Sequence, residues 1–152
     1  MSIGRICLRD VDLADATESV LDAARRMRDR QVGTLVIVNE REEPIGIVTD
    51  RDLAVRVLAA GRDASTTGIR EVMTTSPTVI SEDAPIEAGL TMMVGGAFRR
   101  LPVVNAERKL VGIVTLDDVL ALFAEEFGAI GRLLERETRH LAPSEACPRL
   151  HA

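Results

Sequence analysis

Gly46-Ile47-Val48-Thr49-Asp50-Arg51-Asp52 returns 66 residues further on as Gly112-Ile113-Val114-Thr115-Leu116-Asp117-Asp118. Each copy runs from a β-branched apolar stretch into a Thr and an Asp three residues apart, the pattern of a strand that turns directly into a helix. The register extends well beyond the motif. Leu35, Val38 and Asn39 fall on Leu101, Val104 and Asn105, and Met27 falls on Met93, without a gap. A self-match of this extent marks a duplicated unit. Repeat one is assigned to residues 1–60 and repeat two to 72–123, with a polar linker over 61–71.

Within each copy the same order of elements is predicted. A helix opens it, with Val20, Ala23, Ala24 and Met27 at i, i+3, i+4, i+7 in the first copy and Ile86, Gly89, Leu90 and Met93 in the second. Thr17 and Asp83 are the expected N-caps, with Pro85 in the first turn of the second helix. Two strands follow, Leu35–Val38 and Ile45–Val48 in one copy, Leu101–Val104 and Leu110–Val114 in the other. A second helix then starts near Asp50 and near Leu116. Short strands around Val11–Leu13 and Thr78–Ile80 are expected before the first helices. One such repeat leaves one face of its small sheet bare, so the fold class is α/β (α+β). Two βαββα repeats pack sheet to sheet about a pseudo-twofold axis. The apolar positions Leu120, Phe123, Phe127, Ile130, Leu134 and Leu141 extend the last helix over 124–141 as a stripe, read as a contact for a second copy. Gly128 and Gly131 weaken it. Residues 142–152, with two prolines and no periodicity, are expected to be a disordered tail.

Composition narrows the function. The 152 residues are 46% hydrophobic and 28% charged, which is globular usage, and a domain near this length buries about 70% of its unfolded surface. No apolar run reaches bilayer length and Met1 to Asp10 does not read as a leader, so a cytoplasmic location without a membrane is expected. A net charge of −5 and 2% aromatic residues disfavour nucleic acid, which needs a basic patch or stacking platforms. Lys109 is the sole lysine, so the remaining cations are arginines, whose planar donor fork suits phosphate oxygens. Cys7 and Cys147 stand far apart with no metal-ligand spacing and are read as free thiols. Met27, Met92 and Met93 read as core filler. No phosphate-binding GxxxxGK[ST] loop and no nucleophile–base set is present, and His140 and His151 lie outside the repeats. The chain therefore reads as a binding protein, not an enzyme.

The repeated corner has a binding geometry as well as a structural one. Gly46 and Gly112 let a ligand or another backbone approach, Thr49 and Thr115 stand at the strand ends, and Asp52 and Asp118 project from the first helical turn, where a carboxylate can accept a sugar diol. Thr and Asp at a helix start are equally ordinary capping residues. With the motif present twice in one register, the chain resembles the cystathionine-β-synthase (CBS) domain family, whose repeats end in G-hydrophobic-x-T/S-x-x-D. Val32 to Val38 and Phe98 to Val104 also look like this family, and the resemblance covers residues 6 to 123.

That resemblance implies a pair of CBS repeats, often paired again as a homodimer, with adenosine-containing ligands in the clefts between repeats. No cofactor is required. The implied ligand is AMP, ADP, ATP or S-adenosylmethionine. Carried over residue by residue, the ribose-binding Asp falls on Asp52 and Asp118 and the Thr beside the phosphates on Thr49 and Thr115. Basic residues before the second-repeat strand fall on Arg99 and Arg100, and adenine contacts on the backbone near Thr78 to Ile80 and Val11 to Leu13. The copies differ: Gly33 and Thr34 stand where the second has Arg99 and Arg100, and Arg51 where the second has Asp117. Unequal clefts, with fewer tight sites than clefts, are therefore expected. The regulated partner is expected to be another chain. The alternative is a ligand-independent dimer acting as a scaffold.

Overall fold

The predicted strands form in both copies, each one or two residues longer than the apolar run that marks it. In the computed structural model, which describes residues 1–96 and 98–140, the first copy contributes α1 (Val20–Arg30), β1 (Thr34–Val38), β2 (Pro44–Thr49) and α2 (Asp50–Leu53). The chain continues from α2 as a π-helical turn over Ala54–Leu58. The second copy contributes β3 (Thr74–Thr75), β4 (Ile80–Ser81), α3 (Ile86–Gly96), β5 (Arg100–Val104), β6 (Leu110–Thr115) and α4 (Leu116–His140). Residues Met1–Val119 form one compact unit.

Two three-stranded sheets result, ordered β1-β2-β3 and β4-β5-β6. The hairpins β1–β2 and β5–β6 have equivalent registers, with Thr34 opposite Thr49 and Arg100 opposite Thr115. Their turns are built alike. The Asn39 side chain accepts from the backbone N–H of Arg41 and Glu43, and Asn105 accepts from Glu107 and Lys109. Glu42 (φ 66°) and Arg108 (φ 64°) take the left-handed conformation at matching places. An Asn that imitates a turn from its side chain explains its retention in both copies. Of the short strands expected before the first helices, the one at Thr78–Ile80 forms two residues further on, as Ile80–Ser81 paired in parallel with β5, and the one at Val11–Leu13 is reduced to a single parallel bridge of Leu13 with Val36.

The sheets are closed by exchange. β3, at the start of the second repeat, pairs antiparallel with β2 of the first, Thr74 facing Ile47. Leu8, near the start of the first repeat, bridges Ile113 in β6 of the second. A 3-10 turn precedes each exchanged segment, at Ile3–Arg5 and at Ile69–Glu71. Ile3 N–H donates to Ala84 and Gly4 N–H to Glu82, while Ile69 N–H donates to Glu18 and Arg70 N–H to Ala16. These bonds map onto one another at the repeat offset. Ile69 and Val72 accordingly complete the core of the first copy around Ala23, Leu35, Ile37 and Val48. The exchange of edge segments between the repeats is a feature that the sequence reading did not include.

Both expected N-caps are displaced. α1 is capped by Ser19, whose Oγ accepts from Asp22 N–H at 3.1 Å; Thr17 instead donates from its N–H and its hydroxyl to Asp15. α3 starts at Ile86, so Pro85 holds the cap position, and Asp83 N–H donates to Ser81 Oγ. In each case the helix starts later than the nearest capping residue type suggested. Met27 and Met93 are buried as expected.

α4 runs unbroken through Gly128 and Gly131 to His140, so His140 is helical and not part of a tail. Leu120, Phe123, Phe127, Ile130, Leu133 and Leu134 are exposed along it. Leu141 of the stripe, Cys147, His151 and the expected disordered tail lie outside the described residues. Among the described residues no helix is long and apolar enough to cross a membrane.

Candidate functional site

Both strand-to-helix corners carry the same reciprocal cap. Thr49 donates from its N–H and its hydroxyl to Asp52 Oδ2 at 2.9 and 2.7 Å, and Asp52 N–H donates back to Thr49 Oγ1 at 3.2 Å. Thr115 and Asp118 repeat this at 2.7, 2.8 and 3.2 Å. The capping role is therefore realised at each corner, worth about 1 kcal/mol apiece. It occupies one carboxylate oxygen and leaves the other. At Asp52 that second oxygen faces Arg56, 3.3 Å away. At Asp118 the equivalent of Arg56 is Leu122, and the described bonds of the carboxylate are those from Thr115.

Of the two approaches expected at the motif glycines, a ligand or another backbone, the structure shows that of another chain segment. A Cβ at Gly46 would stand 2.4 Å from Met73 Sδ, and one at Gly112 would stand 2.8 Å from Cys7 Sγ and 2.9 Å from the Leu8 carbonyl. Met73 and Cys7 occupy equivalent positions in the exchanged segments. What comes close to each glycine is thus the opposite repeat's crossing strand, and not a ligand. Cys7 is a free thiol whose pKa burial pushes up, the Arg9 charge opposing weakly.

The remaining site candidates divide. Arg100 starts β5 opposite Thr115, and its guanidinium reaches toward the other copy: Arg100 Nη2 lies 3.6 Å, and Asp50 Oδ2 3.0 Å, from where a Cβ on Gly33 would sit. The corner backbones are joined in matching fashion, Asp50 N–H to Gly33 carbonyl at 3.1 Å and Leu116 N–H to Arg99 carbonyl at 2.9 Å. Arg51 and Arg99 are exposed. Arg56, not foreseen from the sequence, is fixed by Nη1 donating to the Val72 carbonyl at 2.6 Å and Nη2 to Thr74 Oγ1 at 3.3 Å. Its only signal was an Arg four residues after the motif Asp, a helical neighbour. Thr34 was also passed over: its hydroxyl, opposite Thr49, is buried without a hydrogen-bond partner. Ile80 points into the core, against Gly89 of α3, so only its backbone remains for a ligand; Thr78 is exposed beside it. A separate cavity of about 700 Å³ lies at the far end of the first hairpin, lined by Leu13, Asp15, Glu18, Arg26, Asn39 and Arg70 among others. No Thr or Asp of the repeated motif lines it.

The CBS domain model matches residues 3–59 and 69–125, which together take in both corners and both exchanged segments. The chain belongs to the CBS domain family. This CBS pair is 38% identical over 120 residues to protein MK0525 of Methanopyrus kandleri, covering 79% of this chain and 61% of that one. The chain therefore spans under two thirds of that relative's length. Among solved structures, the CBS domain pair of protein MJ0100, in complex with 5′-methylthioadenosine and S-adenosyl-L-methionine, superposes with a TM-score of 0.73 at 29% identity, over 81% of this chain and 98% of that one. Hypoxic Response Protein I, with two coordinated zinc ions, superposes with a TM-score of 0.71 at 30% identity, over 80% of this chain and 98% of that one. Among the described residues of the present CBS pair, no group of three or more His, Cys, Asp or Glu side chains is placed to hold a metal. Two βαββα repeats with a C-terminal helix is thus a fold shared with solved CBS pairs.

Proposed function

We propose that this CBS pair is a regulatory module that binds an adenine nucleotide or related adenosyl ligand, AMP, ADP, ATP or S-adenosylmethionine, and relays its level to a partner protein. One observation carries the reading. Two Thr–Asp corners of identical geometry each keep a second carboxylate oxygen outside the cap, in a fold whose MJ0100 relative holds two adenosyl compounds. A carboxylate so held is preorganised to accept a ribose diol. Arg51, Arg99 and Arg100 are the cations for phosphates, and the backbone at Thr78 and Ile80 is the candidate adenine edge. The module acts in the cytoplasm, without catalysis of its own.

The exposed stripe of α4 supports a second reading, a homodimer that serves as a ligand-independent scaffold. Six large apolar side chains, about half exposed, on one helix make an apolar surface of the size that marks association sites. A titration separates the two. After removal of co-purified ligand, the protein is melted with AMP, ADP, ATP, S-adenosylmethionine and GTP. A ligand at 100 times its Kd adds about 2.7 kcal/mol, or roughly 5–10 °C. A shift with an adenine nucleotide that Arg100→Ala, or Asp52→Ala and Asp118→Ala together, abolishes supports the sensor. Unchanged melting at millimolar nucleotide supports the scaffold.

A further inference from the structure

The two corners share a backbone and differ in charge. Near Asp52 the structure gathers Arg56, paired to the outer carboxylate oxygen, and the Arg100 guanidinium, which crosses from the second copy to the neighbourhood of Asp50. Arg51 adds a third guanidinium on the first turn of α2. Among the described residues Arg100 makes no ion pair, so its guanidinium is available to an anion. At the second corner the equivalents of these three positions carry no cation, Asp117 standing in place of Arg51, Leu122 in place of Arg56 and Thr34 in place of Arg100; its own cation is the exposed Arg99, whose carbonyl accepts from Leu116 N–H where the first corner has Gly33. Asp117 and Asp118 instead put two carboxylates on the first turn of α4.

Electrostatics then sorts ligands. A phosphate is held best by guanidinium forks and is repelled by carboxylates. An uncharged nucleoside meets no such penalty, and the outer oxygen of Asp118, without a competing Arg, is free to take both sugar hydroxyls. We infer that the Asp52 corner takes phosphate-bearing adenosyl ligands, through Arg56 and Arg100, and that the Asp118 corner takes phosphate-free ones. Arg56 and Arg100 are then specificity-determining residues. Arg56 also ties Asp52 to Val72 and Thr74, so a phosphate drawn to it is felt at β3, where the repeats interlock. This inference rests on the adenosyl reading above and adds to it the class of ligand at each corner.

The test is calorimetric titration of the full chain with AMP and, separately, with 5′-methylthioadenosine. Asp52→Asn and Asp118→Asn each keep a carbonyl oxygen to accept the Thr N–H. Asp52→Asn should weaken AMP by about tenfold or more and Asp118→Asn should leave it within about twofold, with the reverse for 5′-methylthioadenosine. Arg100→Gln and Arg56→Leu should each weaken AMP alone. AMP binding that follows Asp118 and not Asp52, or Arg variants that change both ligands equally or neither, would overturn the inference. Should an Asp variant fail to fold, Arg100→Gln decides by itself, since among the described residues that side chain makes no ion pair to lose. A wild-type chain that binds neither ligand refutes the adenosyl reading itself, an outcome distinct from a wrong assignment of corners.

Discussion

Set side by side, the two corners show which residues the fold needs and which it does not. Thr49 with Asp52 and Thr115 with Asp118 make the same three bonds, and the corner backbones are tied by the same N–H to carbonyl link. Gly46 and Gly112 both lie under a crossing strand. Positions outside this shared set of bonds have drifted apart: Arg51 against Asp117, Arg56 against Leu122, Thr34 against Arg100. Duplication preserved the scaffold and left charge free to change, and charge is what a ligand reads.

The comparison can be broken most forcefully at the glycines. Gly112→Ala should cost about 2–3 kcal/mol in denaturant unfolding, since the added methyl meets the Leu8 carbonyl, a backbone atom that cannot swing away. Gly46→Ala should cost about 1 kcal/mol, because Met73 is flexible and its thioether can turn aside. Equal costs would mean that the two crossing segments yield equally, against the contrast between a backbone carbonyl and a flexible thioether. The caps come next. Thr49→Val and Thr115→Val should each lose about 1 kcal/mol, and a cap lost at one corner without effect would show that its Asp serves no structural purpose there. Arg56→Leu, which makes the first corner like the second, should change stability by under about 1 kcal/mol, because the ion pair is partly solvated. In a Cys147→Ser background, Cys7 should react with a thiol reagent far more slowly at pH 8 than the unfolded chain does. Burial both hides the sulfur and holds it protonated. Fast labelling would mean that the segment over Gly112 opens readily. On α4, Phe127→Asp should convert a dimer to a monomer in sedimentation if the stripe is the contact, and leave the mass unchanged if it is not.

Much of this fold can be read in the sequence because the repeat shows everything twice. The β-branched runs at Leu35–Val38 and Leu101–Val104 had period and partner to support them, and the turn into α2 and α4 was marked by Thr and Asp. The exchange was not legible. Leu8 and Thr74 lie in short segments without periodicity, and strand pairs of one or two residues leave no pattern in local sequence. The caps at Ser19 and Pro85 were misplaced because several capping residue types crowd each helix start, and only geometry decides which one turns inward. At the site, Thr and Asp were visible from spacing, whereas Arg56 becomes notable only once Asp52, Val72 and Thr74 are seen around one guanidinium. A close approach at Gly46 and Gly112 was legible, but which segment crosses above them was not.

The interlock of Leu8 with β6 and of Thr74 with β2 has a consequence for how the protein is made. As the chain leaves the ribosome, the first hairpin waits with an open edge on β2 until Thr74 emerges, and Leu8 waits until Ile113 does. Neither half can finish alone, so folding is held back until nearly all of the described chain has been synthesised, as expected where pairings join distant residues. A message cut short within the second repeat would leave its product with a bare strand edge, open to pairing with a second unfinished chain and to clearance by proteases.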